Sequence, residues 1–137
     1  MISALAVSPV AEIATLLAPA AQPAAVARLG IADVSATTRY GCKGPGTIAW
    51  LESLGLPIPP NTNSWLPLDG GGLIARLGFT EFLIEGPDAL IAPIAAAPRG
   101  PGVYPVLRQD AALIVGGSRL DELLRQTCNV NFRPLDP

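Results

Sequence analysis

The sequence predicts an α+β plait: antiparallel hairpins with helices packed on one face of the sheet, built from a repeated hairpin-and-helix unit. Three observations carry this reading. The stretch 71–90, GGLIARLGFTEFLIEGPDAL, holds two apolar runs of strand length, 73–77 and 81–85, parted by a turn at Gly78 and closed by Gly86-Pro87-Asp88. Thirty positions on, GVYPVLRQDAALIVGGSRL repeats the pattern, with identity at Gly72/Gly102, Leu77/Leu107, Leu83/Leu113, Ile84/Ile114, Gly86/Gly116 and Leu90/Leu120. A strand at 38–43 runs through Gly44-Pro45-Gly46 into a helix at 45–54.

In chain order, residues 1–30 form an N-terminal docking helix and a Pro/Ala linker. Ser8-Pro9 followed by Ile13, Leu16 and Leu17 reads as a helix over 9–18, and Pro19 and Pro23 extend the chain to about Arg28. No Lys or Arg precedes Arg28, so the stretch lacks the charged start of a secretory signal. Residues 31–137 form a single α+β domain. Its first helix aligns Ile48, Leu51 and Leu54 on one face with Trp50 beside them, and Gly55 stops it. Residues 57–63 are an exposed loop leading to Trp65, which either closes the core or anchors a partner. The hairpin 73–85 precedes a helix at 87–96, with Pro87 in its first turn. Strands at 103–108 and 111–115 precede a helix at 118–127, capped by Ser118, with Asp121 and Glu122 in its first turn and Leu120, Leu123 and Leu124 inward.

Composition bounds the function. The chain has 137 residues, a net charge of −2 and nine basic residues of which only Lys43 is a lysine, so nucleic acid and anionic membranes are poor partners. Charged residues make up 15% against a usual level of about 25%, while half of the chain is hydrophobic. That excess predicts a partner chain. Glu12 and several prolines break the N-terminal apolar stretch, no run approaches the roughly 18 residues of a membrane helix, and a cytoplasmic location is expected.

Histidine is absent, which removes Ser-His-Asp and Cys-His catalysis and every histidine metal site. Cys42 and Cys128 are in no metal spacing and read as buried free thiols. Gly44-Pro45-Gly46 and Gly116-Gly117-Ser118 could cradle a phosphate, but neither completes a P-loop or GxGxxG, and a plain tight turn is the simpler reading. Glu81, Glu85 and Asp88 could hold a cation or take a proton, or form a solvated sheet face. The sequence therefore assigns no catalytic residue and no metal. Its interface candidates are Ile13, Leu16, Leu17, Asn61, Asn63 and Trp65.

Four blocks in order, ADVSATTRYGCKGPGTIAWL, GLPIPPNTNSW, GGLIARLGFTEFLIEG and LIVGGSRLDELLRQTCNVNFRP, resemble the gamma subunit of heterotetrameric sarcosine oxidase, a relative of the folate-binding domain of aminomethyltransferases. The resemblance runs from about Asp33 to Pro134 and covers roughly the first half of such a subunit. Glu81 keeps the family's acid, Phe82 replaces its Trp, and Phe79-Thr80 replaces its Pro-Asp. Cys128 and Pro134 are kept at the end, where the family's histidine is lost. The resemblance implies a non-catalytic auxiliary subunit of a heteromeric, flavin-dependent N-methyl-amine oxidase. It also implies that FAD, FMN or tetrahydrofolate lies in partner subunits and none in this chain. A folate-binding or aminomethyltransferase-like module, or a stand-alone homodimer, are the alternative expectations.

Overall fold

A computed structural model describes residues 22–108 and 110–129. The expected helix at 9–18, with Ile13, Leu16 and Leu17, lies outside the described residues. The elements run α1 Gln22–Arg28, β1 Gly30–Asp33, β2 Thr38–Lys43, α2 Thr47–Ser53, β3 Ser64–Leu68, β4 Gly72–Arg76, β5 Glu81–Gly86, α3 Asp88–Ala96, β6 Tyr104–Val106, β7 Leu113–Gly116 and α4 Leu120–Thr127. The chain divides into two compact units. One takes 37–109; the other takes the flanking segments up to Ala36 and from Asp110.

The larger unit holds an open antiparallel sheet in the order β3-β4-β5-β2-β6. Leaving aside β3, its order along the chain is β-α-β-β-α-β, with β2 and β5 central, so this unit is a plait, while the expected strand at 111–115 and helix at 118–127 fall in the other unit. Alternation decides which face is buried. Tyr40, Cys42, Ile74, Phe82 and Ile84 point to one side and join Trp50 and Leu51 of α2 and Ile91 and Ile94 of α3 in a single core. Both helices thus pack on that face, as expected. The tilted rings of Tyr40 and Trp50 lie 6.0 Å apart, and the Trp50 indole N–H donates to the Pro98 carbonyl at 2.9 Å. Gly55, at φ 77°, closes α2 with the expected stop: its N–H donates to Glu52 O and that of Leu56 to Leu51 O.

Several expectations give way. Gln22–Arg28 is helical where an extended linker was expected, because Pro23 sits in the first turn and its missing N–H costs no bond. The buried face of α2 is Thr47, Trp50 and Leu51, while Leu54 lies in the capping turn and is 38% exposed. The loop at 57–63 is exposed except at Pro59, which is buried, and Ile58, which is half-buried against the core. Two strands went unread. β1 has only four residues, and β3 contains Pro67, which an edge strand tolerates because the N–H it lacks would face solvent.

The repeat at thirty positions also fails in its second copy. β4 and β5 form the expected hairpin leading into α3. The strands at 103–108 and 111–115 form no hairpin: β6 pairs with β2, and β7 pairs with β1 in a separate two-stranded sheet. Six identities therefore reflect shared apolar spacing and not shared pairing. Nor does Ser118 cap α4. Its N–H donates to Ala27 O, which holds the turn against the end of α1, and the cap position is Arg119 with no side-chain bond.

The smaller unit consists of α1, β1, β7 and α4. Among the described residues it buries only Ser35, which accepts from the Ala112 N–H at 3.0 Å and whose own N–H donates to Asp33. Leu120, Leu123 and Leu124 are half-buried and none is buried.

Candidate docking surface

The side of the large sheet that faces away from α2 and α3 carries one continuous row of outward residues. Register places Trp65, Ala75, Leu83, Gly41 and Val106 side by side across all five strands. Four of the five are apolar side chains, and the row ends on Trp65, which is 62% exposed. Ion pairs border it on both sides. Arg39 donates to Glu85 at 2.7 Å directly across β2 and β5, and Arg108 donates to Glu81 at 2.7 Å. The Arg108 guanidinium crosses the row at Gly41, so the uninterrupted apolar strip runs from Leu83 through Ala75 to Trp65.

Gly41 makes the second pair possible. A Cβ at this position would stand 2.7 Å from the Val106 carbonyl and 2.9 Å from Arg108 Nε. The guanidinium therefore lies across bare backbone to reach Glu81.

Arg76, on the core face beside Phe82, ties the loop before β3 to the turn after β4. Its guanidinium donates to the carbonyls of Pro59 and Pro60 at 3.2 and 3.1 Å and to that of Phe79 at 2.9 Å, and it sits 5.8 Å from the centre of the Phe82 ring. The Asn63 N–H donates back to the Arg76 carbonyl at 2.7 Å. Asn63 holds φ at 57°, a left-handed conformation that asparagine tolerates better than most side chains. The loop before β3 and the turn after β4 are thereby tied to one strand. Together they present Asn61, Asn63 and Trp65, all exposed, with Leu77 and Phe79 at 40% and 83% exposure. Exposed aromatics on rigid backbone are the anatomy of an interface anchor. Phe79 was overlooked in the sequence. Its signal was available, since an aromatic residue in a hairpin turn has no sheet face on which to be buried.

The chemical candidates are separated. Glu81 and Glu85 serve Arg108 and Arg39, and Asp88 accepts a hydrogen bond from the Thr38 hydroxyl. Among the described residues no cluster of His, Cys, Asp or Glu is placed to hold a metal. Cys42 is buried, and that burial pushes its thiol up to about 12, an effect the nearby Arg108 charge only partly offsets. Cys128, expected to be buried, is exposed because it follows the last residue of α4, and no residue of that helix is buried.

Both glycine turns spend their N–H groups on the protein. Gly44 donates to Thr80 O, Gly46 to Gly102 O and Thr47 to Gly44 O; Ser118, Arg119 and Leu120 donate to Ala27 O, Arg28 O and Gly117 O. That is the tight-turn arrangement, with no ring of donors open to a phosphate. In the smaller unit an open groove of about 380 Å³ runs between α1 and α4, floored by Ala25, Leu29 and Leu123, and the Arg119 on its rim pairs with Glu122.

These features define an antiparallel α+β protein that carries an apolar outward row ending on an exposed Trp65. No protein-family model and no curated protein matches the chain. Among the described residues no helix is long and apolar enough to cross a membrane.

Proposed function

We propose that the chain is a non-catalytic auxiliary subunit of a heteromeric, flavin-dependent, N-methyl-amine-oxidising enzyme, and that it docks on a larger subunit. The observation that carries the docking role is the apolar row that ends on the exposed Trp65, with Phe79 exposed at the turn after β4. An aromatic of that size left mostly in water forgoes several kilocalories of burial, which a partner pocket would recover. Half of the chain is hydrophobic, which favours the same reading.

The amine-oxidising assignment rests on the likeness of the four ordered sequence blocks to sarcosine oxidase gamma subunits. In that arrangement the flavin and the amine site belong to the partner chains. The groups of this chain most suited to proton transfer do not converge: Tyr40 and Cys42 are in the core and Lys43 points to the opposite face.

Purification of the tagged chain from its native cell tests the reading. A large yellow complex that oxidises N-methylated amino acids is expected. A colourless preparation with no larger chain attached would overturn it.

A further inference from the structure

The backbone repeats itself at a place where the residues do not. In the larger unit β2 runs into Gly44, with φ 121°, and α2 begins at Thr47; in the smaller, β7 runs into Gly117, with φ 124°, and α4 begins at Leu120. Two of the turn bonds correspond. Thr47 N–H donates to Gly44 O and Leu120 N–H to Gly117 O, while Gly46 N–H donates to Gly102 O and Arg119 N–H to Arg28 O. Gly102 and Arg28 each stand two residues before a strand, β6 and β1, and these are the strands that pair with β2 and β7. A Cβ on Gly44 or Gly117 would collide with that same carbonyl. Thus β7, α4 and β1 match β2, α2 and β6.

The match exposes what the smaller unit lacks. Thr47, Trp50 and Leu51 are buried in α2, whereas their equivalents Leu120, Leu123 and Leu124 are only half-buried. Tyr40 and Cys42 are buried in β2, whereas of their equivalents Leu113 is 47% exposed and Val115 half-buried. The difference lies in the neighbours: β2 has β6 on one edge and β5 on the other, while β7 has β1 on one edge and, among the described residues, no strand on the other. A two-stranded sheet is marginal by itself, and three or more strands are needed for independent stability.

We infer that the free edge of β7 pairs with the β7 of a second copy of this chain, joining two such sheets into one of four strands. The edges themselves single out this one. Every other sheet edge carries a residue that discourages pairing: Pro67 in β3, Pro105 in β6 and Asp33 in β1. β7, Leu-Ile-Val-Gly, carries neither a charge nor a proline, and residues 111–117 around it are equally uncharged. An edge of that kind is complementary to itself.

Symmetry and side-chain pairing then set the register. A two-fold axis between identical antiparallel strands stands perpendicular to the sheet, so both helix layers stay on one side. Directly opposite residues share a face, so the axis must pass through a residue position and not between two. Ile114 on the axis sets Leu113 opposite Val115 of the second copy, apolar against apolar on the helix face, whereas Val115 on the axis would set Leu113 against Gly117. Leu113 and Val115 of that copy then take the places that Phe82 and Ile84 of β5 hold beside Cys42 and Tyr40. This pairing is independent of the reading above, since it uses no residue of the apolar row or the Trp65 corner.

The test uses the full 137-residue chain with Cys128→Ser, because Cys128 is exposed and would cross-link by itself. Sizing with light scattering is expected to give twice the chain mass, and Ile114→Cys to close a disulfide between copies on mild oxidation. Opposed residues lie about 4.5–5.5 Å apart between Cα atoms, within disulfide reach. Ala32→Cys on β1 would stand roughly 14 Å from its counterpart, three strand spacings away, and should not cross-link. Ile114→Lys should return a monomer whose circular dichroism still shows the folded sheet. A wild-type monomer, cross-linking through Ala32 in place of Ile114, or a dimer that survives Ile114→Lys would each overturn the proposal. A yellow hetero-complex that contains one copy of the chain would leave the proposed function standing while removing this inference.

Discussion

Arg76 donates to the Phe79 carbonyl at 2.9 Å, and the same guanidinium holds Pro59 and Pro60. One side chain on β4 thus sets two segments that have no regular structure of their own. Arg76→Ala is expected to cost about 2 kcal/mol of stability, since hydrogen bonds to a charged donor are lost and several carbonyls return to water. Denaturant unfolding measures that cost. Hydrogen exchange localises it, with faster exchange at Asn63, while core amides such as Ile84 change only by the global loss.

Trp65 and Phe79 predict the opposite pattern. Both are mostly exposed, so Trp65→Ala and Phe79→Ala should each change stability by less than about 0.5 kcal/mol. Binding to the partner chain should weaken at least about tenfold for either change, the scale of an interface anchor. Pull-down titration of the two variants against the purified complex reads this, and unaltered binding in both would remove the corner from the interface.

Gly41 is the position at which space decides. Gly41→Ala places a methyl group against the Val106 carbonyl, which is backbone and cannot swing away, and against Arg108. A loss of about 2 kcal/mol is expected, with β6 lifted from β2 and the Arg108–Glu81 pair parted. A variant as stable as the parent would show that β6 can retreat freely.

Cys42 gives a pH dependence of definite sign. Burial raises its thiol from 9.0 to about 12, so the folded chain holds a proton that the unfolded chain releases near 9. The resulting stability is complete below pH 9 and is lost as the pH climbs towards 12. Cys42→Ala should flatten that decline in the alkaline unfolding midpoint. At about pH 8 a thiol reagent should label Cys128 at once and Cys42 only after denaturation.

Much of the larger unit was legible in the residues. β2 was read to the residue at Thr38–Lys43, and the hairpin of β4 and β5 with α3 behind it to within one or two. These elements announce themselves locally, through apolar runs bounded by glycine and proline. The Trp65 corner was half legible. Asn61, Asn63 and Trp65 were marked by the proline-rich loop, but only the bonds of Arg76 tie that loop to the turn at Phe79, and a tie between separate segments has no local signature.

Pairing of distant strands was not written in any one stretch. Identity at thirty positions pointed to a second hairpin, yet β6 joined β2 and β7 joined β1, because an edge strand goes to whichever neighbour offers register and a covered face. The equivalence that does exist, between the turns at Gly44 and Gly117, shares almost no residues beyond those glycines and Leu51 with Leu124. It is a likeness of backbone: a left-handed glycine that lets a carbonyl approach and a helix start three residues on. Sequence determined where the chain could bend, alternate and bury itself, since those are properties of neighbouring residues. Only the tertiary structure decided which strands met, because that depends on the free energy of surfaces brought together from far apart along the chain.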